Sequence, residues 1–295
     1  MTVGTGRTIG QLIREGERSF SFEFMPPKDE SGEEQLWRAI RDLEPFQPTF
    51  VSVTYGAGGS SRDTTVRVTG RIAKETSLLP MAHLTCVGHT REELESILDE
   101  YAAAGVRHVM ALRGDPPEGP RAAWTPTEGG FTYAQELVEL AVQRHGFSVG
   151  VAAFPEGHPS AESIERDADV LVAKAEAGAE FAVTQMFFRA SDYFDLVERV
   201  RARGVDLPIL PGIMPILNLN AITRQGELIG AAVPDEVIDS FAGLTERDEI
   251  RANGIRLAAE LCEELLAGGA PGLHFYTLNF SKATREIFQA LQITV

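Results

Sequence analysis

Residues 163–187 read SIERDADVLVAKAEAGAEFAVTQMF, and this stretch contains the unit from which the fold is built. Its first part, Ser163–Ala177, sets apolar against charged residues at a helical period and is rich in helix formers. Gly178 follows, where the missing Cβ lets the chain leave the helix in a left-handed conformation. An apolar run, Phe181–Phe187, then has the length and composition of a buried strand. The same order recurs along the chain. Amphipathic stretches Glu33–Leu43, Arg91–Ala104 and Tyr133–His145 alternate with apolar or β-branched runs, and Gly105, Gly146 and Gly204 stand where helices should end. The runs are Phe20–Phe24, Phe50–Thr54, Ala82–Val87, His108–Leu112, Ser148–Phe154, Phe181–Phe187, Ile209–Ile213 and Leu273–Thr277. Repeated helix–glycine–strand order implies parallel βα units with right-handed crossovers. An open doubly wound sheet would typically carry a glycine-rich nucleotide loop after its first strand. Here Met25-Pro26-Pro27-Lys28 follows instead. Eight units in 295 residues therefore predict an α/β fold, a closed (β/α)8 or TIM barrel. The interval from Met214 to Pro271 is too long for one helix, so extra helices are expected between strands 7 and 8. No linker divides the chain, and residues 1–295 are expected to form a single barrel domain.

Composition narrows the class. With 43% hydrophobic and 24% charged residues, the chain has material for a large core and a soluble surface. It has no apolar run of about 18 residues or more, the length a membrane helix needs. Met1–Arg18 carries Arg7, Arg14, Glu15 and Glu17 with no apolar h-region, so no secretory signal is expected and the cytoplasm is the expected location. The two cysteines, Cys86 and Cys262, belong to no CxxC-like cluster; a buried structural thiol at Cys86 and no metal site are expected. The net charge of −16 repels nucleic acid and anionic membranes over long range. Anionic cofactors remain admissible, because a few local bases and backbone N–H groups decide their binding.

In a (β/α)8 barrel the reactive groups lie at the C-terminal ends of the strands. Those positions hold Glu23, Thr54, His83, Arg113 with Asp115, Glu156 with His158, and Gln185. One such polar residue is as easily a rim group as a functional one; several at equivalent ends point to a site. Glu23 lies between Phe22 and Phe24, and a carboxyl in an apolar wall favours its neutral form, which suits a general acid near pH 7; a solvated, ionised Glu23 is the alternative. In Arg113-Gly114-Asp115-Pro116-Pro117, the glycine allows close backbone approach, the arginine can pair with phosphate and Asp115 can accept from a ring N–H. The loop Gly56-Ala57-Gly58-Gly59-Ser60-Ser61-Arg62 could contact an anion or be only a tight turn.

Taken together, Phe20-Ser21-Phe22-Glu23-Phe24-Met25-Pro26-Pro27-Lys28, Phe50-Val51-Ser52-Val53-Thr54-Tyr55-Gly56-Ala57, His83-Leu84-Thr85, Ala111-Leu112-Arg113-Gly114-Asp115-Pro116, Pro155-Glu156-Gly157-His158-Pro159, Thr184-Gln185-Met186-Phe187-Phe188 and His274-Phe275-Tyr276-Thr277-Leu278-Asn279 resemble the bacterial methylenetetrahydrofolate reductases. Each motif is modest alone; in family order over nearly the whole chain they are specific. The resemblance implies a catalytic barrel without the regulatory domain of eukaryotic relatives. It also implies FAD at the barrel mouth, NADH or NADPH as donor, and ping-pong reduction of 5,10-methylenetetrahydrofolate to 5-methyltetrahydrofolate through flavin N5, feeding methionine synthesis. Relatives form dimers or tetramers.

By motif, Glu23 resembles the general acid, Asp115 the carboxylate that favours a cationic intermediate, and Gln185 the amide that binds substrate. The positions matching FAD contacts are Thr54, His83, Leu112, Arg113, Gly114, Asp115, Tyr133, Ala134, Phe154, His158, Asp167 and Lys174. Spacing alone would make Lys174 a solvated residue of its helix. The chain departs from many relatives at Ala221 and Gln225, where Gln and Phe are common, at Phe280, where a base often stands (Lys282 lies two places on), and at Val170 and Ala173, which replace polar residues. Two other readings compete: a flavin-free or weakly flavin-binding relative that binds folate or transfers hydride directly, and a non-catalytic scaffold. A scaffold would need none of Glu23, Asp115 and Gln185.

Overall fold

The computed structural model describes residues 6–55, 62–116, 119, 121–231 and 233–293. The chain begins with α1 (Ile9–Glu15), β1 (Ser19–Phe24), α2 (Glu30–Leu43), a 3-10 turn (Glu44–Phe46), β2 (Phe50–Val53), α3 (Arg62–Glu75), β3 (Pro80–Thr85) and α4 (Arg91–Ala104). It continues through β4 (His108–Leu112), α5 (Ala134–His145), β5 (Ser148–Ala153), α6 (Ile164–Glu176), β6 (Phe181–Thr184) and α7 (Ala190–Ala202). After β7 (Ile209–Leu210) and β8 (Gly212–Ile213) come α8 (Leu219–Ile229), α9 (Asp235–Asp239), α10 (Arg247–Ala267), β9 (Gly272–Tyr276) and α11 (Ser281–Ala290). Among the described residues no helix is long and apolar enough to cross a membrane.

The helices start and stop where local chemistry directs. Ser163 caps α6 by accepting from the Arg166 N–H at 3.1 Å. Thr90 and Glu93 form a reciprocal capping box at α4. α4 and α5 end at Gly105 and Gly146, both left-handed (φ 89° and 63°). The expected long interval before the last strand holds α8, α9 and α10.

Among the described residues all strand pairs are parallel, in the order β7-β6-β5-β4-β3-β2-β1-β9-β8. The sequence expectation of eight strands needs one correction. The run Ile209–Ile213 is two strands, because Pro211 has no N–H to give to a ladder. β7 pairs with β6 and β8 with β9, so this broken run is the seam at which the barrel closes. Side chains bridge the seam: Gly212 N–H donates to Thr184 Oγ1 at 2.9 Å, and Tyr276 Oη donates to the Thr184 carbonyl at 2.5 Å. The sixth run is also shorter than its apolar stretch; β6 stops at Thr184, and Met186 and Phe187 turn away as buried packing residues.

Alternation on the strands divides two environments. Phe22, Phe24, Leu36, Ile40, Leu273 and Phe275 belong to the outer core between sheet and helices. Phe288 of α11 meets four rings there, those of Phe20, Phe22, Phe46 and Phe275, with centroids 5.0–5.8 Å apart. Inside the barrel, Phe50, Met81, Met110, Phe181, Val183 and Leu210 pack on Ile9 and Ile13. α1 thus closes the N-terminal end, and the opposite end is left for the site.

Candidate active site at the C-terminal mouth

The mouth holds a cavity of about 370 Å³. Glu23, Thr54, His83, Leu112, Phe154 and Gln185, each expected from the sequence, line it together, although they come from β1, β3, β4 and the segments after β2, β5 and β6.

Glu23 overturns the apolar-wall argument. Its neighbours Phe22 and Phe24 point to the helices because side chains alternate along a strand, and both are fully buried there. Glu23 points inward, to a polar cluster. Ser52 Oγ donates to Glu23 Oε2 at 3.3 Å, and His274 Nε2 lies 3.4 Å from the same oxygen. His83 Nε2 is 3.3 Å away but badly angled for a hydrogen bond, so its influence is chiefly coulombic. His274, with no exposed side-chain surface, is held from behind by Ser21 Oγ at 2.8 Å from Nδ1. Burial raises the Glu23 carboxyl, but the pull of His83 and the hydrogen bond from His274 outweigh it and hold the group well below the usual carboxylate range. The unliganded site therefore presents a carboxylate, shielded from bulk water yet ionised.

Gln185 is oriented by its own turn. Its Oε1 accepts the Met186 N–H at 2.8 Å, which leaves the amide NH2 as the donor offered to the cavity. Tyr276 and Met214 complete the wall on the seam side.

A second, basic cluster adjoins the cavity at β4, β5 and α6. Arg113 stacks on Trp124, with its guanidinium 4.9 Å from the ring centroid, and lies 3.5 Å from His158 Nε2. His158 packs edge-on against Phe154 at 4.7 Å. Lys174 is buried, not solvated as spacing suggested: its helix turns it inward, and Nζ donates to the Ala152 carbonyl at 3.0 Å. Burial lowers Lys174 to about 8, with Asp167 opposing, and burial with the charges of Arg113 and Lys174 lowers His158 to about 4. Asp167 is raised by burial against the pull of Lys174. Gly114 (φ 81°) lies so close to Val87 that a Cβ would come within 2.4 Å of its Cγ1.

Other expected residues fall outside the cavity wall. Asp115 is exposed on the loop after β4; desolvation raises its carboxyl, with Arg113 opposing. Tyr133 is exposed at the start of α5 and Ala134 is buried beside it. Glu156 is raised to about 7 by desolvation and the nearby Asp192. Residues 56–61 of the glycine-rich loop, and Pro117, lie outside the described residues. Of the departures, Gln225 lines the cavity, whereas Ala221 and Phe280 are exposed and do not. Val170 and Ala173 are partly buried on α6. Cys86 is a buried free thiol, raised to about 12 by burial.

Sequence reasoning missed Met25, Met214, Tyr276, Thr277 and Leu278 in the wall and His274 behind Glu23. Extending the strand-end reading to the seventh and eighth runs would have found Met214, Tyr276 and Thr277. Nothing local marks His274.

The donor set suits a large, partly anionic ligand: two basic side chains, Arg113 and Lys174, and the His158 imidazole beside a mainly apolar cavity, with Thr85 Oγ1, His83 Nε2 and Trp124 Nε1 buried and without a hydrogen-bond partner among the described residues. These features fit FAD, with phosphates on the basic cluster and a flat ring in the cavity. Among the described residues no group of three or more His, Cys, Asp or Glu is placed to hold a metal.

A model of the family described as methylenetetrahydrofolate reductase matches residues 8–292. The 5,10-methylenetetrahydrofolate reductase of Escherichia coli K12 is 36% identical over 280 residues, which cover 95% of this chain and 92% of that protein. Methylenetetrahydrofolate reductase (NADH) 1 of Arabidopsis thaliana is 36% identical over 295 residues, but the chain spans only 50% of its length. Among solved structures, an uncharacterized protein from Clostridium thermocellum that binds two copies of 5-methyl-5,6,7,8-tetrahydrofolic acid superposes with a TM-score of 0.70 at 12% identity, covering 97% of this chain and 98% of that one; at that identity the likeness is one of fold.

Proposed function

This chain belongs to the methylenetetrahydrofolate reductase family, and from that premise we propose that it reduces 5,10-methylenetetrahydrofolate to 5-methyltetrahydrofolate with FAD as cofactor and NADH or NADPH as donor, in alternating half-reactions. The observation that carries the reading is the pairing of Glu23 and Gln185 in one cavity with the cluster Arg113, His158 and Lys174 beside it. When bound, FAD supplies the two-electron exchange between nicotinamide and folate.

The residues bind and move protons. Arg113 and Lys174 hold the phosphates. Gln185 donates its NH2 to the pterin and fixes the ring. Ring opening needs a proton on a folate nitrogen, and Glu23 Oε2 is the atom that delivers it. Because His83 and His274 hold the unliganded carboxyl well below the usual range, that proton reaches Glu23 only after ligand has displaced water from the cavity, and the hydrogen-bonded neighbour through which it can pass is His274 Nε2, 3.4 Å from Oε2. Asp115 is assigned the electrostatic support of the cationic ring, from an exposed position on the loop after β4. We further take residues 1–295 as one catalytic barrel, acting as a cytoplasmic homo-oligomer that feeds methionine synthesis; sedimentation reads the dimer or tetramer.

The test is the visible spectrum of the purified protein. A flavin band that bleaches on anaerobic NADH and returns with methylenetetrahydrofolate supports cofactor, donor and substrate at once. A colourless protein that cannot be reconstituted with FAD overturns the flavin assignment in favour of the flavin-free reading.

A further inference from the structure

The turn that leaves β9 carries an unusual pair of backbone angles. Leu278 and Asn279 are both left-handed, at φ 50° and 62°. Asparagine tolerates that region; leucine is strained in it. The other non-glycine residues with positive φ among those described, Gln47 and Gln292, sit just past helical segments, away from the mouth. Leu278 joins none of the apolar cores and is 47% exposed, so internal packing does not offset the strain.

We propose that Asn279 is a positioning residue, a clasp that binds the end of β9 to the end of β1 and so presents Leu278 and Met25 as an apolar ledge for a planar ring of the folate. The ligand half of this inference rests on the function proposed above. Asn279 Oδ1 accepts the Met25 N–H at 2.8 Å, and Asn279 Nδ2 donates to the Met25 carbonyl at 2.9 Å. Both ends of the amide are used, and its orientation follows from its partners, since the Met25 N–H can only donate and the Met25 carbonyl can only accept. The Asn279 backbone is tied as well: its carbonyl accepts from Gln35 Nε2 at 2.8 Å and its N–H donates to Thr277 Oγ1 at 3.2 Å. Thr277 Oγ1 in turn donates to the Glu23 carbonyl at 2.6 Å.

The clasp has two consequences. Met25, itself 45% exposed, and Leu278 both line the cavity, and both are the kind of apolar surface that water leaves readily when a flat ring arrives. Glu23 lies two residues before Met25, so the same bonds fix the height at which its carboxylate stands in the cavity.

The experiment compares Asn279→Ala, Leu278→Ala and the double variant with the wild type, by amide hydrogen exchange at Met25 in the unliganded protein and by KM and kcat for methylenetetrahydrofolate. In Asn279→Ala the Met25 amide should exchange about tenfold faster or more, the scale of losing two hydrogen bonds. KM should rise about tenfold while kcat changes far less, as expected when binding shared by ground and transition states is lost. If Asn279 acts through Leu278, the double variant should have a KM close to that of Asn279→Ala alone. Asn279→Asp, which keeps the acceptor for the Met25 N–H and loses the donor, should fall between. Unchanged exchange at Met25 overturns the clasp. Unchanged KM, or effects of the two single variants that multiply, overturn the ledge. A wild-type protein that reduces no folate overturns the proposed function and with it the ligand half, and the exchange measurement then decides the clasp alone.

Discussion

At the scale of single residues, the site depends on how burial is compensated. Glu23 is enclosed, and enclosure alone would make it neutral; His83 and His274 reverse that. Its stabilising contribution is therefore present above the unfolded carboxyl value of about 4.3 and is lost as pH falls through its depressed folded value. Replacing both histidines by Gln should let burial dominate, so that the Glu23 carboxyl, followed by carbon-13 NMR, titrates above the ordinary range instead of below it. Glu23→Gln should leave flavin reduction by nicotinamide intact and slow flavin reoxidation by folate by about 10²-fold or more, the usual size of a general acid's contribution; stopped-flow absorbance separates the two half-reactions, and survival of both would remove Glu23 from the mechanism. Lys174 titrates near 8, so affinity for the anionic cofactor should fall as pH rises through that value. The pH dependence of FAD binding, measured by flavin fluorescence, should flatten in Lys174→Met, which is uncharged at every pH.

At the scale of elements, the seam and the last helix are the places where single changes should be felt. Thr184→Val is close in shape but removes the acceptor of the buried Gly212 N–H at the point where Pro211 interrupts the ladder. A buried donor left unpaired costs about 1–3 kcal/mol, and urea unfolding should show that loss with an unchanged slope. Phe288→Ala removes the ring around which Phe20, Phe22, Phe46 and Phe275 gather, at a cost of about 3–5 kcal/mol. The strands that could be read from sequence were those whose apolar run ends where pairing ends, as in β4. The early end of β6 and the break between β7 and β8 were missed because an apolar run records burial, whereas a ladder also needs N–H groups, and Pro211 has none.

At the scale of the whole molecule, the nine parallel strands among the described residues form one sheet that ties the site to the fold, because the cavity wall draws on both sides of the seam. Thermal unfolding should therefore be cooperative, and FAD at about 100 times its dissociation constant should add about 2.7 kcal/mol and several degrees to the midpoint. Calorimetry with and without FAD checks this, and two separated transitions would count against a single cooperative barrel.

Period, punctuation and motif order were enough to determine the parallel βα architecture and the family, because these are written in local spacing. Of the residues that strand-end logic named, Glu23, Thr54, His83 and Gln185 line one cavity, and Arg113, Asp115, Glu156 and His158 do not. Tertiary structure alone decided the rest. It turned Lys174 inward, set His274 behind Glu23 across a separation of 251 residues, and joined Asn279 to Met25 across 254. Those contacts depend on which elements become neighbours when the barrel closes. The ionisation of a buried carboxyl follows the charges that closure brings to it, not the residues beside it in the chain.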